Sequence, residues 1–141
     1  MKISFYYAAF GDKIDKAISL WTKGPYSHCE LIFSDNIFFS SSYRDGGVRF
    51  KQISNLKNWN ILNIEIKNEE KVREWCEKQV GKKYDLLGVF MQIPNLSYIE
   101  DRNKWYCSEI CSHVLKKFGN YTDNTKISPN KLYKILTSNF C

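Results

Sequence analysis

Apolar residues follow a strand-like pattern in the first half of this sequence and a helical pattern in the second, which limits the folds open to the chain. In the first half, three segments rich in aromatic and β-branched residues are separated by the turn sequences Ser34–Asn36 and Arg44–Gly47. These segments are Tyr26–Phe33, Ile37–Tyr43 and Val48–Ile53. Strands joined by such short turns pair antiparallel. The order of the two patterns predicts an α+β fold in which helices pack on an antiparallel β-sheet.

Two more strands and a helix surround this meander. Lys2–Ala8 and Asn60–Ile66 are predicted strands, so the sheet should hold about five. Asp12 can cap a helix over Lys13–Lys23, which the pair Gly24–Pro25 ends. The second half is predicted to hold four helices, over Glu69–Val80, Tyr84–Gln92, Cys107–Gly119 and Ser128–Leu136.

Length and charge indicate one globular domain over residues 1–141 with no affinity for nucleic acid. An apolar content of 43%, with 16% aromatic residues, favours a packed core over disorder. The 21 basic residues give a net charge of +6, but they are scattered among acids and form no basic arm. We therefore expect no nucleic-acid partner.

The cysteines indicate a reducing compartment. They lack the dense, even spacing of a secreted disulfide framework, and no second pair of ligands stands at zinc-site spacing, so no metal is predicted. They are Cys29, Cys76, Cys107, Cys111 and Cys141. The N-terminus lacks the apolar core of a signal peptide, and no run reaches the roughly 20 apolar residues of a membrane span. We expect a cytoplasmic protein without a transmembrane segment.

Cys107 is a candidate nucleophile because of its place in the predicted helix. A thiol in the first turn meets unpaired backbone N–H groups and the positive end of the helix dipole, and both favour the thiolate. Asn103, just upstream, is the predicted capping residue. The alternative is that Cys107 is a buried small hydrophobic residue, which is the commoner role of a free cysteine.

A nucleophilic cysteine needs a base, and the chain has two histidines. His113 lies six residues beyond Cys107 on the same helix, so the two side chains point in different directions and His113 is predicted to pack. His28 begins the first strand of the meander and can approach Cys107 from another element. We therefore predict that His28 accepts the thiol proton.

A third group should orient the imidazole. If Ser34–Ile37 closes a tight hairpin, His28 faces Tyr43 and Glu30 faces Ser41, all on one side of the sheet. Glu30 is one pleat along from His28, a long reach for a direct bond, whereas Ser41 lies diagonally across from it. Glu30 is preferred because a carboxylate stabilises imidazolium better than a hydroxyl does, and Ser41 remains the alternative.

Two motifs, in this order, resemble those of the permuted papain-like cysteine hydrolases, a branch of the NlpC-type superfamily. They are Tyr26-Ser27-His28-Cys29-Glu30-Leu31 and Trp105-Tyr106-Cys107-Ser108-Glu109. In ordinary members the cysteine helix precedes the histidine strand, whereas in permuted members the histidine comes first, as here. Three further segments are similar to the family and extend the resemblance over most of the chain. They are Ile14–Ile18, Gly81–Gly88 and Ser128–Leu132.

The resemblance implies a permuted papain-like fold with a thiolate at Cys107, a base at His28 and no metal or organic cofactor. The third residue of such sites varies among His, Asn, Gln, Glu and Asp, so the serine on the neighbouring strand departs from the pattern and leaves this position open. Tyr106 matches an aromatic residue often found just before the nucleophile, and it is with Tyr26 a candidate for the lining of the cleft.

The expected function is therefore that of a cysteine hydrolase cleaving amide bonds through an acyl-enzyme on Cys107. Family members act on cell-wall peptides, lipids and other acylated molecules, so a peptide, a cell-wall fragment or an acylated small molecule is the expected partner. A bacterial or phage enzyme fits this expectation. Two alternatives stay open: a lipid acyl hydrolase or acyltransferase that uses the same pair, with an apolar groove along Leu86–Met91, and a binding module without turnover.

Overall fold

The computed structural model describes residues 1–90, 103–119, 121–122 and 124–138. The strands are β1 (Lys2–Tyr7), β2 (Tyr26–Ile32), β3 (Phe38–Ser42), β4 (Gly47–Lys51), β5 (Trp59–Asn63), β6 (Lys83–Tyr84) and β7 (Lys104–Trp105). The helices are α1 (Lys13–Thr22), α2 (Glu69–Glu77), α3 (Leu86–Phe90), α4 (Cys107–Gly119) and α5 (Pro129–Ser138), with a 3-10 turn at Ala8–Phe10. The strands form one sheet in the order β5-β1-β2-β3-β4-β6-β7.

The α+β class is confirmed, but the prediction of a purely antiparallel sheet of about five strands is wrong. β6 and β7 extend the sheet to seven strands, and they pair with each other in parallel. Each is only two residues long, so neither shows the alternation by which a strand is recognised in a sequence.

The short strand β6 also displaces the helix that was predicted to begin at Tyr84. The helix α3 begins instead at Leu86, after Asp85, whose carboxylate accepts a hydrogen bond from the Gly88 N–H at 2.9 Å. The last two residues of that predicted helix, Met91 and Gln92, lie outside the described residues, as does Cys141.

Other boundaries differ by a few residues, while α4 ends as predicted, at Gly119. The Asp12 cap of α1 is confirmed, because its side chain accepts hydrogen bonds from two backbone N–H groups of the first turn. The helix α2 ends at Glu77 rather than Val80, and α5 continues to Ser138.

One face of the sheet carries the apolar core, on which α2, α4 and α5 pack. The sheet contributes alternate residues of β1, β2 and β3 to this core: Ile3, Phe5, Cys29, Leu31 and Phe39. The helices contribute Val72, Cys76, Ile110, Cys111, Val114, Leu115, Leu132 and Leu136. The intervening residues, such as Ser4, Glu30 and Ser40, point to the other face and are polar although buried. The start of α4 is thereby held close to β2 and β3.

The predicted register of the β2–β3 hairpin is wrong by one residue. Leu31 pairs with Phe39 and Ile32 with Phe38, because the loop has three residues rather than two. Asn36 takes the left-handed conformation, with φ at 61°, and Phe33 donates a hydrogen bond to the Ile37 carbonyl at 2.9 Å. A slip of one residue moves every side chain of a strand to the opposite face.

Candidate active site

Cys107 is the first residue of α4. The Tyr106 carbonyl accepts the first helical hydrogen bond, from Ile110, and the Glu109 carboxylate accepts one from the Tyr106 N–H at 3.4 Å. Tyr106 therefore occupies the capping position, and the prediction that Asn103 caps the helix is wrong because Asn103 lies too far upstream. The thiol stands where the helix dipole favours a negative charge.

The pairing between β2 and β3 stops close to Cys107. Beyond the Leu31–Phe39 pair, the Cys29 carbonyl accepts no backbone hydrogen bond from β3. It accepts one from the Ser40 hydroxyl at 2.8 Å and a weak one from the Cys111 thiol at 3.8 Å. The backbone N–H of Cys29 lies on the same edge of β2 as its carbonyl, and it donates a hydrogen bond to Cys107. The start of α4 lies where β2 and β3 are no longer paired. Cys107 therefore contacts both His28 and Cys29, although their side chains point to opposite faces of the sheet.

The environment of Cys107 favours the thiolate. Hydrogen bonding from the Cys29 thiol, the positive charge of His28 and the Cys29 backbone N–H together hold the pKa of Cys107 well below its usual value. These interactions outweigh burial, which alone would raise that pKa, since the residue is only 2% exposed. By contrast, the pKa of Cys29 is raised, mainly by burial and further by the neighbouring thiols. The same surroundings therefore favour the thiolate at Cys107 and the thiol at Cys29.

The imidazole of His28 lies between Cys107 and Glu30. Its Nε2 is 3.0 Å from Oε1 of Glu30, which leaves the other ring nitrogen for the thiolate. Burial alone would lower the pKa of His28, but the charge of Cys107 and the hydrogen bonds to Cys107 and Glu30 raise it to about 10. The arrangement is that of a thiolate–imidazolium pair supported by a carboxylate.

Glu30 is itself held by Arg49 of β4. The guanidinium donates to both carboxylate oxygens, at 2.8 and 3.0 Å, in the bidentate geometry of strong arginine–carboxylate pairs. Burial favours protonation of Glu30, but the bonds to His28 and Arg49 outweigh it and lower its pKa. Glu30 is therefore an anion although only 1% of it is exposed.

Ser41, the alternative third residue, does not lie beside His28. The one-residue difference in hairpin register turns it to the opposite face from Glu30, where its hydroxyl donates to the Trp105 carbonyl at 2.6 Å. Ser41 therefore anchors the segment that leads into α4, and the prediction that it shares a face with His28 is wrong.

Tyr106 and Tyr26, proposed as lining of the cleft, are both buried. Tyr106 packs with Ile18 and Val89 under α1 and α3, while Tyr26 packs in an aromatic cluster with Phe5, Tyr7 and Tyr133. The remaining histidine, His113, stacks on Trp75 with ring centres 5.0 Å apart, which agrees with a packing role.

Asn130 and Arg49 are two residues of the site that the sequence did not single out for it. Asn130 was interpreted as part of a helix start and of a segment similar to the family, with no role in the site, but its side chain accepts from the Tyr26 N–H and donates to the Tyr26 carbonyl, at 2.9 and 2.8 Å. It thus holds the end of β2 two residues before His28. The available signal for Arg49 was a cation on a strand of the same meander as the acid Glu30, but β3 lies between their strands, so its use required the registers of both pairs.

A cavity of about 390 Å³ opens beside His28 on the polar face of the sheet. Its lining is mostly polar and charged, and it comprises Tyr6, His28, Glu30, Ser42, Arg44, Asp45, Arg49, Lys51, Gln52, Ile53, Ser54, Asn55 and Trp59. The charges are largely paired within the protein: Arg44 with Asp12 and Asp15, and Lys51 with Asp45. The cavity brings solvent to the edge of the imidazole, whose side chain is 13% exposed.

Within the described residues, no group of three or more His, Cys, Asp or Glu side chains is arranged to hold a metal ion. The helices in the described part of the chain are too short or too polar to span a bilayer. The sequence matches no protein-family model, and it has no significant match among curated proteins.

Proposed function

We propose that this protein is a cysteine hydrolase that cleaves amide bonds through an acyl-enzyme on Cys107. The observation that supports this function is the order of groups Cys107, His28 and Glu30, with a thiol of lowered pKa at a helix start and a carboxylate 3.0 Å from the imidazole. The nucleophile comes from α4, and the base and the orienting group come from β2. The two elements are in contact where the pairing of β2 with β3 stops.

The chemistry begins with attack of the Cys107 thiolate on the carbonyl carbon, which forms a C–S bond. Backbone N–H groups in the first turn of α4 stabilise the oxyanion. When the C–N bond breaks, the His28 imidazolium gives its proton to the leaving amine. Water then attacks the thioester and neutral His28 takes a proton from it. The C–S bond breaks, the carboxylic acid leaves, and the thiolate–imidazolium pair is restored.

Detection of the acyl-enzyme tests this proposal. The folded protein is treated briefly with 4-nitrophenyl acetate and the modified cysteine is located by peptide mass spectrometry. We expect acetyl on Cys107, with Cys76, a buried thiol of α2, as the internal control. The His28→Gln variant should form this acyl-enzyme more slowly because the thiolate loses its counter-ion. Selective modification of another cysteine, or an inert Cys107, would contradict the proposal and favour a binding module.

A lipid acyl hydrolase or acyltransferase is the second candidate, and one observation favours it. Apolar side chains of α1 and α3 are exposed, with Leu20 at 83% and Leu87 at 68%. Most residues around the cavity beside His28 are charged or polar, which favours the amidase instead. A substrate panel of peptide amides and of esters with short and long acyl chains separates the two, because a lipid enzyme should prefer the long chains.

A further inference from the structure

Arg49 has a geometry that packing between two strands does not require. Its two terminal nitrogens bind both oxygens of Glu30, while its Nε donates to the Asp45 carboxylate at 2.7 Å. Oε1 of Glu30 is shared, because it accepts from Arg49 at 2.8 Å and lies 3.0 Å from Nε2 of His28. The guanidinium is thus held from two sides and presents a fixed positive charge one carboxylate away from the imidazole.

We infer that Arg49 is a positioning residue that holds Glu30 against His28 and shares its charge, so that the imidazole can release its proton while the acyl-enzyme is hydrolysed. This inference rests on the proposed function, since it assigns a further residue to the same reaction.

Acylation and hydrolysis of the acyl-enzyme require different protonation states of His28. During acylation the imidazole must carry a proton, and the adjacent Cys107 thiolate favours this. Acylation removes that negative charge, and His28 must then be neutral to accept a proton from water. A buried carboxylate whose charge was balanced by His28 alone would hold the imidazole in its protonated form. Because Arg49 balances Glu30 whatever the state of His28, the carboxylate can orient the ring without retaining its proton.

Other charged and titratable groups face this pair from each surrounding element. Arg49 is distinguished from them because it is the cation that contacts the Glu30 carboxylate. The others are Tyr6 of β1, Cys29 of β2, Arg44 and Asp45 of the turn before β4, Lys51 of β4, Tyr84 of β6 and Cys107 of α4. Lys51 provides a matched control because it lies on the same strand and face as Arg49 and binds Asp45, but not Glu30.

The test measures the proton affinity of His28 by NMR in a Cys107→Ser background, where no thiolate contributes. Arg49→Met removes a positive charge near the imidazole, so the midpoint of the His28 titration should rise by about one pH unit. Lys51→Met should leave the midpoint unchanged. Arg49→Lys, which keeps the charge, should restore a midpoint close to that of the parent. An unchanged midpoint in folded Arg49→Met would overturn the inference.

The kinetic counterpart uses the protein with Cys107 intact. Once acetylated by 4-nitrophenyl acetate, the Arg49→Met variant should lose its acetyl group about tenfold more slowly at pH 7, and a rise of about one pH unit should restore the rate. A purely structural role would lower the rate equally at every pH, and this outcome would overturn the inference. Absence of acetylation in the unsubstituted protein would contradict the proposed function, while the NMR titration would still decide the role of Arg49.

A second variant keeps the test available if Arg49→Met does not fold. The double substitution Glu30→Gln with Arg49→Met leaves no uncompensated charge in the buried pair. Its His28 titration should have a midpoint above that of Glu30→Gln alone, because the repulsion from the guanidinium is gone. Equal midpoints in these two variants would overturn the inference.

Discussion

The Glu30 carboxylate lies 3.0 Å from Nε2 of His28, although the two residues stand two positions apart on β2. Positions two apart on a strand are separated by roughly 6 to 7 Å, so Glu30 must lean along the strand to make this contact. Arg49 binds its carboxylate from β4 and holds it in that position. The separation along β2, which argued against a direct bond between Glu30 and His28, is therefore spanned by the leaning Glu30 side chain. A cation from a more distant strand holds that side chain in place.

The first prediction separates Glu30 from Ser41. Glu30→Gln removes the negative charge that favours imidazolium, so the pH midpoint of the His28 titration should fall by about one unit or more. Acylation should slow as well, because the imidazolium that pairs with the thiolate is lost. NMR titration of His28 and the rate of acyl-enzyme formation measure the two effects.

Ser41→Ala is the control for this prediction. Its hydroxyl binds the Trp105 carbonyl, which also accepts from the Asp85 N–H at 3.0 Å and is not left unpaired. We expect a loss of about 1 kcal/mol in the free energy of unfolding and an unchanged His28 titration. A shift of the His28 midpoint in Ser41→Ala, with none in Glu30→Gln, would reverse the assignment.

The second prediction concerns the pH dependence of cysteine alkylation. The lowered pKa of Cys107 keeps its thiolate populated below neutral pH, so its reaction with iodoacetamide should stay nearly constant between pH 8 and 6. A thiol with an ordinary pKa of about 8.5 loses about tenfold in rate per pH unit over this range. Cys29 and Cys76 should react far more slowly, because burial raises the pKa of both.

A substitution of His28 tests whether its positive charge lowers the pKa of Cys107. In His28→Gln the thiolate loses its positive neighbour, so the pKa of Cys107 should rise and the alkylation rate at pH 6 should fall by about tenfold or more. Quantitative mass spectrometry of each cysteine-containing peptide provides the rates. A profile for Cys107 in the unsubstituted protein that follows an ordinary thiol would exclude the ion pair.

The main elements of the site could be predicted because their signals are local. The helical pattern of apolar residues after Cys107 predicts α4, and the apolar segment between the Gly24–Pro25 break and the turn at Ser34–Asn36 predicts the strand that carries His28. Asp12 could be assigned as a cap because it directly precedes an amphipathic stretch, and the structure confirms it. None of these assignments requires knowledge of how strands pair.

The register between strands could not be predicted, because it depends on the backbone conformation of single residues in the loops. The left-handed conformation of Asn36 adds one residue to the loop and turns Ser41 away from His28. Arg49 lies 19 residues from Glu30, and their contact depends on two strand registers together. Nothing in the local sequence around Arg49 distinguishes it from a solvated strand cation.

The last prediction asks whether the thiol at position 107 contributes to packing or to chemistry. Cys107 and Cys76 are both buried, but their surroundings differ. Both thiols belong to the apolar core, but a serine hydroxyl at position 107 would also find His28 and the Cys29 N–H as hydrogen-bond partners. A buried hydroxyl without a partner costs about 1–3 kcal/mol. We therefore expect Cys76→Ser to lower the free energy of unfolding by about that amount, and Cys107→Ser to lower it clearly less while abolishing acyl-enzyme formation. Urea unfolding at pH 7 measures both losses, and an equal loss for the two variants would mean that Cys107 serves the core rather than the reaction.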